Sequence, residues 1–166
     1  MDDPDVAVRR YASDDADALW GLKRAFELEL GSGTGDGEKA ARYEAKLTDA
    51  YRRRYVAWVG RCVDEEPDCV RVAAADDGAV GYAFLLPASL AMIWDAAVLN
   101  EIYVRPAARG SGVADALLDA AVATARAQDL PLDRLVLDVD PDNGRARAFY
   151  DRHGFEPWGE LVARRL

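Results

Sequence analysis

The sequence predicts an α+β (mixed α/β) fold, and two patterns along the chain lead to it. The first is an antiparallel meander. Residues 70–75 and 80–86 are apolar runs joined by Asp76-Asp77-Gly78, and an Asp-Gly step between two such runs is a strong hairpin signal. Residues 98–104 are rich in β-branched and aromatic side chains, so they add another strand to the meander.

The second pattern is a crossover that follows the meander. Apolar residues recur at helical spacing from Val113 to about Gln128, and residues 135–139 again resemble a strand. Because strand, helix and neighbouring strand connect in a right-handed parallel manner, the predicted sheet is mixed but mostly antiparallel.

The first third of the chain is predicted to be mainly helical. A strand near residues 6–11 precedes an amphipathic helix that ends at about residue 30, and a second helix spans 38 to about 62. The glycine-rich stretch 31–39 between them is predicted to be a linker. It is not a phosphate loop, because Glu38 interrupts the Gly-Lys pair that such a loop needs.

The second helix carries the block Arg52-Arg53-Arg54. Such a block can bind an acidic ligand or a phosphate, but a run of like charges is more often a solvated face. We therefore expect these arginines to face solvent.

Length and composition predict one domain over residues 1–166, since 166 residues that are 51% hydrophobic suffice for one core. No apolar run approaches the roughly 20 residues of a membrane helix, and the first residues do not resemble a secretory signal. A cytoplasmic location is expected. Two cysteines and one histidine are too few for a metal centre, so none is expected.

The chain is acidic, with 30 acidic and 21 basic residues and a formal charge of −9. This disfavours nucleic acid and anionic membranes as partners and favours cationic substrates. A second explanation is the habitat of the host, because an excess of Asp over Glu and of Arg over Lys is a bias of halophilic or high-GC organisms.

The turn after the strand at 98–104 has the features of an anion site. Pro106 ends the strand, and a helix begins at or just after Gly112, so unpaired amides and the helix dipole meet there. Gly110 and Gly112 let a phosphate approach the backbone, and Arg109 adds a fixed positive charge. The alternative is that the two glycines only permit a tight turn.

A second block, residues 142–155, agrees with such a site. Asn143 is placed to cap a short helix, and Phe149 and Tyr150 follow within that helix. Gly154 is expected to end it, and His153 to be a helix-end residue favoured by the dipole.

These two blocks carry a resemblance to a known family. Residues 109–114, Arg-Gly-Ser-Gly-Val-Ala, resemble the Arg/Gln-x-x-Gly-x-Gly/Ala acetyl-coenzyme A signature of the GNAT N-acetyltransferase superfamily, and 142–155 resemble its second block. The resemblance implies a GNAT-like fold: a central, mostly antiparallel twisted sheet of six to seven strands, with a parallel, splayed central pair and about four helices.

The resemblance also implies a cosubstrate, acetyl-coenzyme A (acetyl-CoA), and no metal. The residues that it places at the cofactor are Ile102, Tyr103, Val104, Arg109, Gly110, Ser111, Gly112, Val113, Ala114, Asn143, Phe149 and Tyr150. It further implies that Glu101 removes the ammonium proton of the acceptor through water, and that Tyr150 protonates the leaving thiolate. Two plainer roles stay open: Glu101 as a structural strand carboxylate, and Tyr150 as a packing residue.

The predicted function is N-acetyl transfer from acetyl-CoA to a primary amine, by direct attack in a ternary complex. The partners are acetyl-CoA and a small-molecule or peptide amine, with no nucleic acid and no membrane, and a homodimer is left open. Two alternatives are a non-catalytic acyl-CoA binding or sensing module, and an enzyme that acetylates protein N-termini or lysines.

Overall fold

The computed structural model of the chain describes residues 5–33 and 37–166. Five strands in these ranges form one sheet in sequence order, and neighbours from the first to the fourth pair antiparallel. The last two strands are parallel, which confirms the mixed sheet. The strands are β1 (Ala7–Arg10), β2 (Val70–Ala75), β3 (Gly78–Leu85), β4 (Ala97–Val104) and β5 (Leu135–Val136).

The strand count differs from the expected six to seven. β5 has two residues instead of the predicted five, and no strand follows α5 within residues 153–166. The side chains there give the reason: Trp158, Leu161 and Val162 are 61%, 71% and 84% exposed. Since every side chain from residue 156 to residue 166 is exposed, nothing in the packing of these residues favours a strand.

The described ranges contain five α-helices and three short 3-10 segments, where about four helices were expected. None of the helices combines the length and hydropathy of a membrane span. The helices are α1 (Ala16–Gly33), α2 (Gly37–Ala45), α3 (Asp49–Glu65), α4 (Val113–Ala127) and α5 (Gly144–Arg152).

The extra helix arises because the predicted helix over 38–62 is interrupted at residues 46–48. Thr48 lies in extended backbone, and its side chain accepts a hydrogen bond from the amide of Tyr51 at 3.1 Å. This cap starts α3 anew. The predicted linker at 31–39 is also shorter than expected, because α1 continues to Gly33 and α2 begins at Gly37; residues 34–36 lie outside the described ranges.

Helices cover both faces of the sheet, and successive residues of β3 show the division. Tyr82 and Phe84 are buried in the cluster that includes α1 and α3 residues, whereas Ala83 belongs to the cluster that includes Leu117 and Leu118 of α4. This alternation is that of a strand buried on both sides. The sheet therefore has one core against α1 and α3 and another against α4.

A β-bulge changes the alternation within β4. Phe84 pairs with Glu101 but Leu85 pairs with Leu99, so Asn100 is an extra, exposed residue on β4. Residues two apart in a regular strand share a face. Here Leu99 packs with α4, whereas Glu101 contacts Lys23 of α1. The bulge therefore places Glu101 on the face of the sheet opposite to that of Leu99.

The parallel pair of strands parts soon after it forms. Ala97 and Val98 pair with Leu135 and Val136, and the described residues show no pairing between the two strands beyond Val98. The rest of β4, which carries Glu101, has a strand neighbour only on the β3 side. An opening therefore begins where β4 and the segment after β5 diverge.

Candidate active site

This opening is the mouth of a cleft of about 1920 Å³. Its volume exceeds the roughly 300–1,000 Å³ of a site for one small ligand, so it has room for two reactants. Two parts of its lining are named here. The turn wall consists of residues 109–115 and α5, and the helical wall consists of the residues of α1, α2 and α3 that line the cleft.

The turn wall is a strand–turn–helix connection with exposed backbone. Gly110 and Gly112 have φ angles of 80° and 81°, which L-residues rarely adopt, and no heavy atom lies within 4 Å of either Cβ position. In the described part of the chain, the amides of residues 110–114 have no hydrogen-bond acceptor. Free amides in the first turn of the 15-residue helix α4 are suited to an anion.

Two side chains expected at the cofactor do not line this cleft. Val113, the first residue of α4, is buried in the core. The Ser111 hydroxyl donates to the carbonyl oxygen of Ala108 at 2.6 Å. Their contribution to an anion site would come from their amides alone. The other expected residues lie along the cleft; they are Glu101, Ile102, Tyr103, Val104, Arg109, Gly110, Gly112, Ala114, Asn143, Phe149 and Tyr150.

Arg109 makes protein contacts that the sequence did not indicate. Its Nε donates to the carbonyl oxygen of Val104 at 3.0 Å, and its Nη2 lies 2.9 and 2.7 Å from the two carboxylate oxygens of Glu29. Arg145 of α5 donates to the same carboxylate at 2.7 Å. Glu29 of α1 therefore joins the helical wall to both parts of the turn wall.

The start and end of α5 follow the predictions. Asn143 caps the helix, because its Oδ1 accepts a hydrogen bond from the amide of Ala146 at 3.1 Å. His153 is the C-cap residue, and its Nε2 lies 2.7 Å from Oδ1 of Asp115 in the first turn of α4. This contact holds the pKa of Asp115 below its usual value and ties α5 to α4.

Tyr150 is a cleft residue whose hydroxyl has no hydrogen-bond partner among the described residues. Its ring meets those of Phe149 and Phe155 edge-on, each at a centroid distance of 5.4 Å. Burial raises the pKa of Tyr150 to about 12, against a smaller lowering by Arg145. The phenol therefore keeps its proton at neutral pH and has it available for a group in the cleft.

Glu101 lies at the helical wall and is 5% exposed. One carboxylate oxygen accepts a hydrogen bond from the Tyr55 hydroxyl at 2.7 Å, and the other pairs with the Lys23 ammonium. Lys23 also pairs with Glu27, which in turn lies 2.7 Å from Lys46. The carboxylate thus belongs to a buried network instead of standing free in the cleft.

The electrostatics of this network follow from its pairing. Burial alone would lower the pKa of Lys23, but the carboxylates of Glu101 and Glu27 outweigh it and raise that pKa. Burial would likewise raise the pKa of Glu27, but Lys23 and Lys46 outweigh it and lower that pKa. Lys23 and Glu27 therefore stay ionised at neutral pH.

The sequence did not single out Lys23, Glu27 or Tyr55. A Lys and a Glu four residues apart on an amphipathic helix were the available signal for the first two, but such pairs are usually solvated. In the rest of the lining, Tyr103 packs against Phe26 at a centroid distance of 5.9 Å. No cluster of His, Cys, Asp and Glu in residues 5–33 and 37–166 could hold a metal ion.

The family is shown by comparison with known proteins. Residues 34–155 match the acetyltransferase (GNAT) family, and because this match spans most of the sequence, the chain belongs to that family. A mycothiol acetyltransferase of Beutenbergia cavernae is 44% identical over 77 residues, which are 42% of this chain and 25% of that protein. The chain thus spans about a quarter of the length of that relative.

Solved structures share the fold. The PaiA N-acetyltransferase of Thermoplasma acidophilum, in complex with coenzyme A, aligns with a TM-score of 0.70 and 18% identity over 91% of this chain and 89% of its own. A ribosomal-protein-alanine N-acetyltransferase of Brucella melitensis biovar Abortus 2308 aligns with a TM-score of 0.60 and 20% identity over 96% and 98%. At such identities the likeness concerns the fold alone.

Proposed function

We propose that the protein transfers an acetyl group from acetyl-CoA to a primary amine by direct attack in a ternary complex. The observation that carries this proposal is the single cleft in which β4 parts from β5. It brings the glycine turn, the phenol of Tyr150 and the buried carboxylate of Glu101 to one volume large enough for two reactants.

The turn wall fits the phosphates of acetyl-CoA. Five consecutive amides, at residues 110–114, lack acceptors within residues 5–33 and 37–166, and the glycine Cβ positions are open, so phosphate oxygens can reach the backbone. Arg109 and Arg145 meet at Glu29 beside this turn. Phosphate would compete with Glu29 for both guanidinium groups. The unpaired side of β4 at Ile102, Tyr103 and Val104 fits the amide-bearing arm of the same molecule.

Acetyl-CoA supplies an activated acetyl thioester, and the residues of this chain supply position and protons. Tyr150 holds a proton at its hydroxyl, with a pKa of about 12, and is our choice for the donor to the leaving thiolate. Glu101 is our choice for the group that accepts the proton of the acceptor ammonium through water. Its bonds to Lys23 and Tyr55 fix its orientation.

The ion pair of Glu101 also favours a second candidate, an acyl-CoA binding module without catalysis. A carboxylate whose two oxygens already accept bonds from Lys23 and Tyr55 is less available as a base. The names of the relatives include acetyltransferases for mycothiol and for ribosomal-protein alanine, so family membership leaves the acceptor undecided.

Thiol release separates these candidates. The protein is mixed with acetyl-CoA and amino acids, polyamines, aminoglycosides or peptides, and free coenzyme A is detected. We expect release that depends on one acceptor class. Glu101→Gln should reduce turnover most at low pH, where the amine is protonated. Tight binding of acetyl-CoA by calorimetry without thiol release for any acceptor would favour the binding module.

A further inference from the structure

The basic side chains of the cleft are not equally paired. Nine of them line it. Six have carboxylate partners within the described residues, and three have none. The six paired residues are Lys23, Lys39, Lys46, Arg109, Arg145 and Arg152. The three others, Arg53, Arg54 and Arg61, are exposed residues of α3.

These three arginines share one side of the cleft because of helical spacing. Arg54, Trp58 and Arg61 lie at positions i, i+4 and i+7, so they form a stripe along one face of α3. At a rise of about 1.5 Å per residue, the two arginines are about 10 Å apart along the helix axis. Trp58 lies between them and packs on Phe84 at a centroid distance of 4.9 Å, which holds this part of the wall in place.

The neighbour Arg52 differs from these three arginines. Arg52 pairs with Asp17 of α1 and does not line the cleft. Arg53 and Arg54 are exposed, as expected of the block, but they also line the cleft. A net charge of −9 had also favoured a cationic substrate, but the lining has nine basic against seven acidic side chains.

The position of the stripe assigns it to the acceptor. Arg54 is next to Tyr55, whose hydroxyl binds Glu101, and the stripe belongs to the helical wall. The turn wall and the edge of β4 are taken by acetyl-CoA in the function proposed above. The helical wall is therefore the part of the cleft that is left for the acceptor amine.

We infer that the acceptor amine carries an oxyanion, a carboxylate or a phosphate, which Arg54 and Arg61 bind on the α3 face of the cleft; this inference rests on the proposed acetyl transfer. Guanidinium groups match both oxyanions in geometry and charge. The two arginines, with Trp58 between them, then form a binding surface in which α3 fixes the distance between the positive charges. Arg53 adds to the positive potential of this surface.

The test compares amines that differ only in the oxyanion. One pair is 4-aminobutanoate and butylamine, and the other is glucosamine 6-phosphate and glucosamine; these arms separate a carboxylate from a phosphate. We expect kcat/KM to be at least tenfold higher for the anionic member of one pair. In the double variant Arg54→Gln/Arg61→Gln this preference should disappear, chiefly through a higher KM and with kcat little changed.

The matched control is Arg24→Gln, which removes an exposed arginine of α1 that does not line the cleft and should leave the preference intact. Equal or faster turnover of the uncharged members, or a preference that survives in the double variant, would overturn the inference and leave acetyl transfer standing. Calorimetric binding of an anionic amine that the double variant loses, without thiol release from any amine, would overturn acetyl transfer and keep the anion site. If the protein neither binds an anionic amine nor releases thiol with any amine, both the anion site and acetyl transfer would be overturned.

Discussion

The turn wall and the helical wall of the cleft are built in different ways. The turn wall presents backbone amides, and two glycines with φ near 80° give access to them. The helical wall presents side chains of α1 that form ion pairs with each other and with β4, and Tyr55 of α3, which donates a hydrogen bond to β4. The first wall depends on chain geometry that a short stretch of sequence specifies, whereas the second depends on residues that only the fold brings together.

This difference determines which substitutions can disrupt each wall. A backbone N–H is removed only by substitution with proline, so other substitutions affect the turn wall through its glycines and through the side chains around it. The helical wall can lose a charge by one substitution, which leaves the partner charges buried. The predictions below test this contrast, beginning with the largest effect.

Tyr150→Phe removes one hydroxyl from the turn wall and keeps the ring contacts to Phe149 and Phe155. A positioned acid typically contributes about 10²- to 10⁴-fold to a rate, so single-turnover acetyl transfer should slow by that factor. The affinity for acetyl-CoA should change little because the packing survives. Transfer at the wild-type single-turnover rate would reduce Tyr150 to a packing residue.

Lys23→Met tests the helical wall. It leaves Glu27 and Glu101 buried without their shared ammonium, and breaking a buried pair in this way costs about 3–5 kcal/mol. We expect the free energy of unfolding in urea to fall by that amount.

The control is Arg42→Met, which breaks an exposed pair with Glu38 on α2. Surface pairs contribute about 0–1 kcal/mol, so this variant should unfold almost as the wild type does. Equal losses in the two variants would mean that the buried network contributes no more than a surface pair.

Gly112→Ala tests the backbone geometry of the turn wall. Alanine finds open space there, but a φ of 81° is unfavourable for it by about 1–2 kcal/mol. The turn should shift, and the affinity for acetyl-CoA should fall about tenfold. Gly60→Ala, in the interior of α3 with equally open surroundings, is the calorimetric control and should bind normally. Unchanged affinity in both variants would argue against the turn as the phosphate site.

The smallest effect concerns acid stability. The pKa of Glu27 is held below its ordinary value of 4.5 by Lys23 and Lys46, against the opposing effect of burial. A group with a lowered folded-state pKa stabilises the fold above its unfolded pKa and loses this contribution as the pH falls through the folded pKa. The stability gap between the wild type and Glu27→Gln should therefore be full at pH 7 and shrink below pH 4.5. Urea unfolding across this range measures it, and a gap independent of pH would exclude ionic pairing as its cause.

The contrast between the walls also explains what the sequence predicted. The hairpin at Gly78, the start of α4 after Gly112 and the cap at Asn143 each depend on a few neighbouring residues, and the structure confirms them. The family followed from the same local signals. Local chemistry of this kind leaves its pattern in consecutive residues.

The errors arose where distant residues meet. Lys23 and Glu101 are 78 positions apart, and no periodicity in α1 indicates that this lysine is buried. The break at Thr48 was missed because apolar spacing continued across it while a single hydroxyl supplied the cap. The final strands were expected from the family, but the exposure of Trp158 and Leu161 depends on packing that the resemblance does not specify.

The extra residue in β4 leaves the direction of Glu101 independent of the length of the strand before it. Asn100 is exposed and opposes no residue of β3 in the pairing, so position 100 should accept almost any side chain. Its deletion would make Leu99 and Glu101 consecutive residues, and consecutive residues of a regular strand lie on opposite faces. Leu99 would still face α4 and Glu101 would still face Lys23. The pairing of Glu101 with Phe84, and not the number of residues that precede it, therefore sets the side of the sheet on which the carboxylate lies.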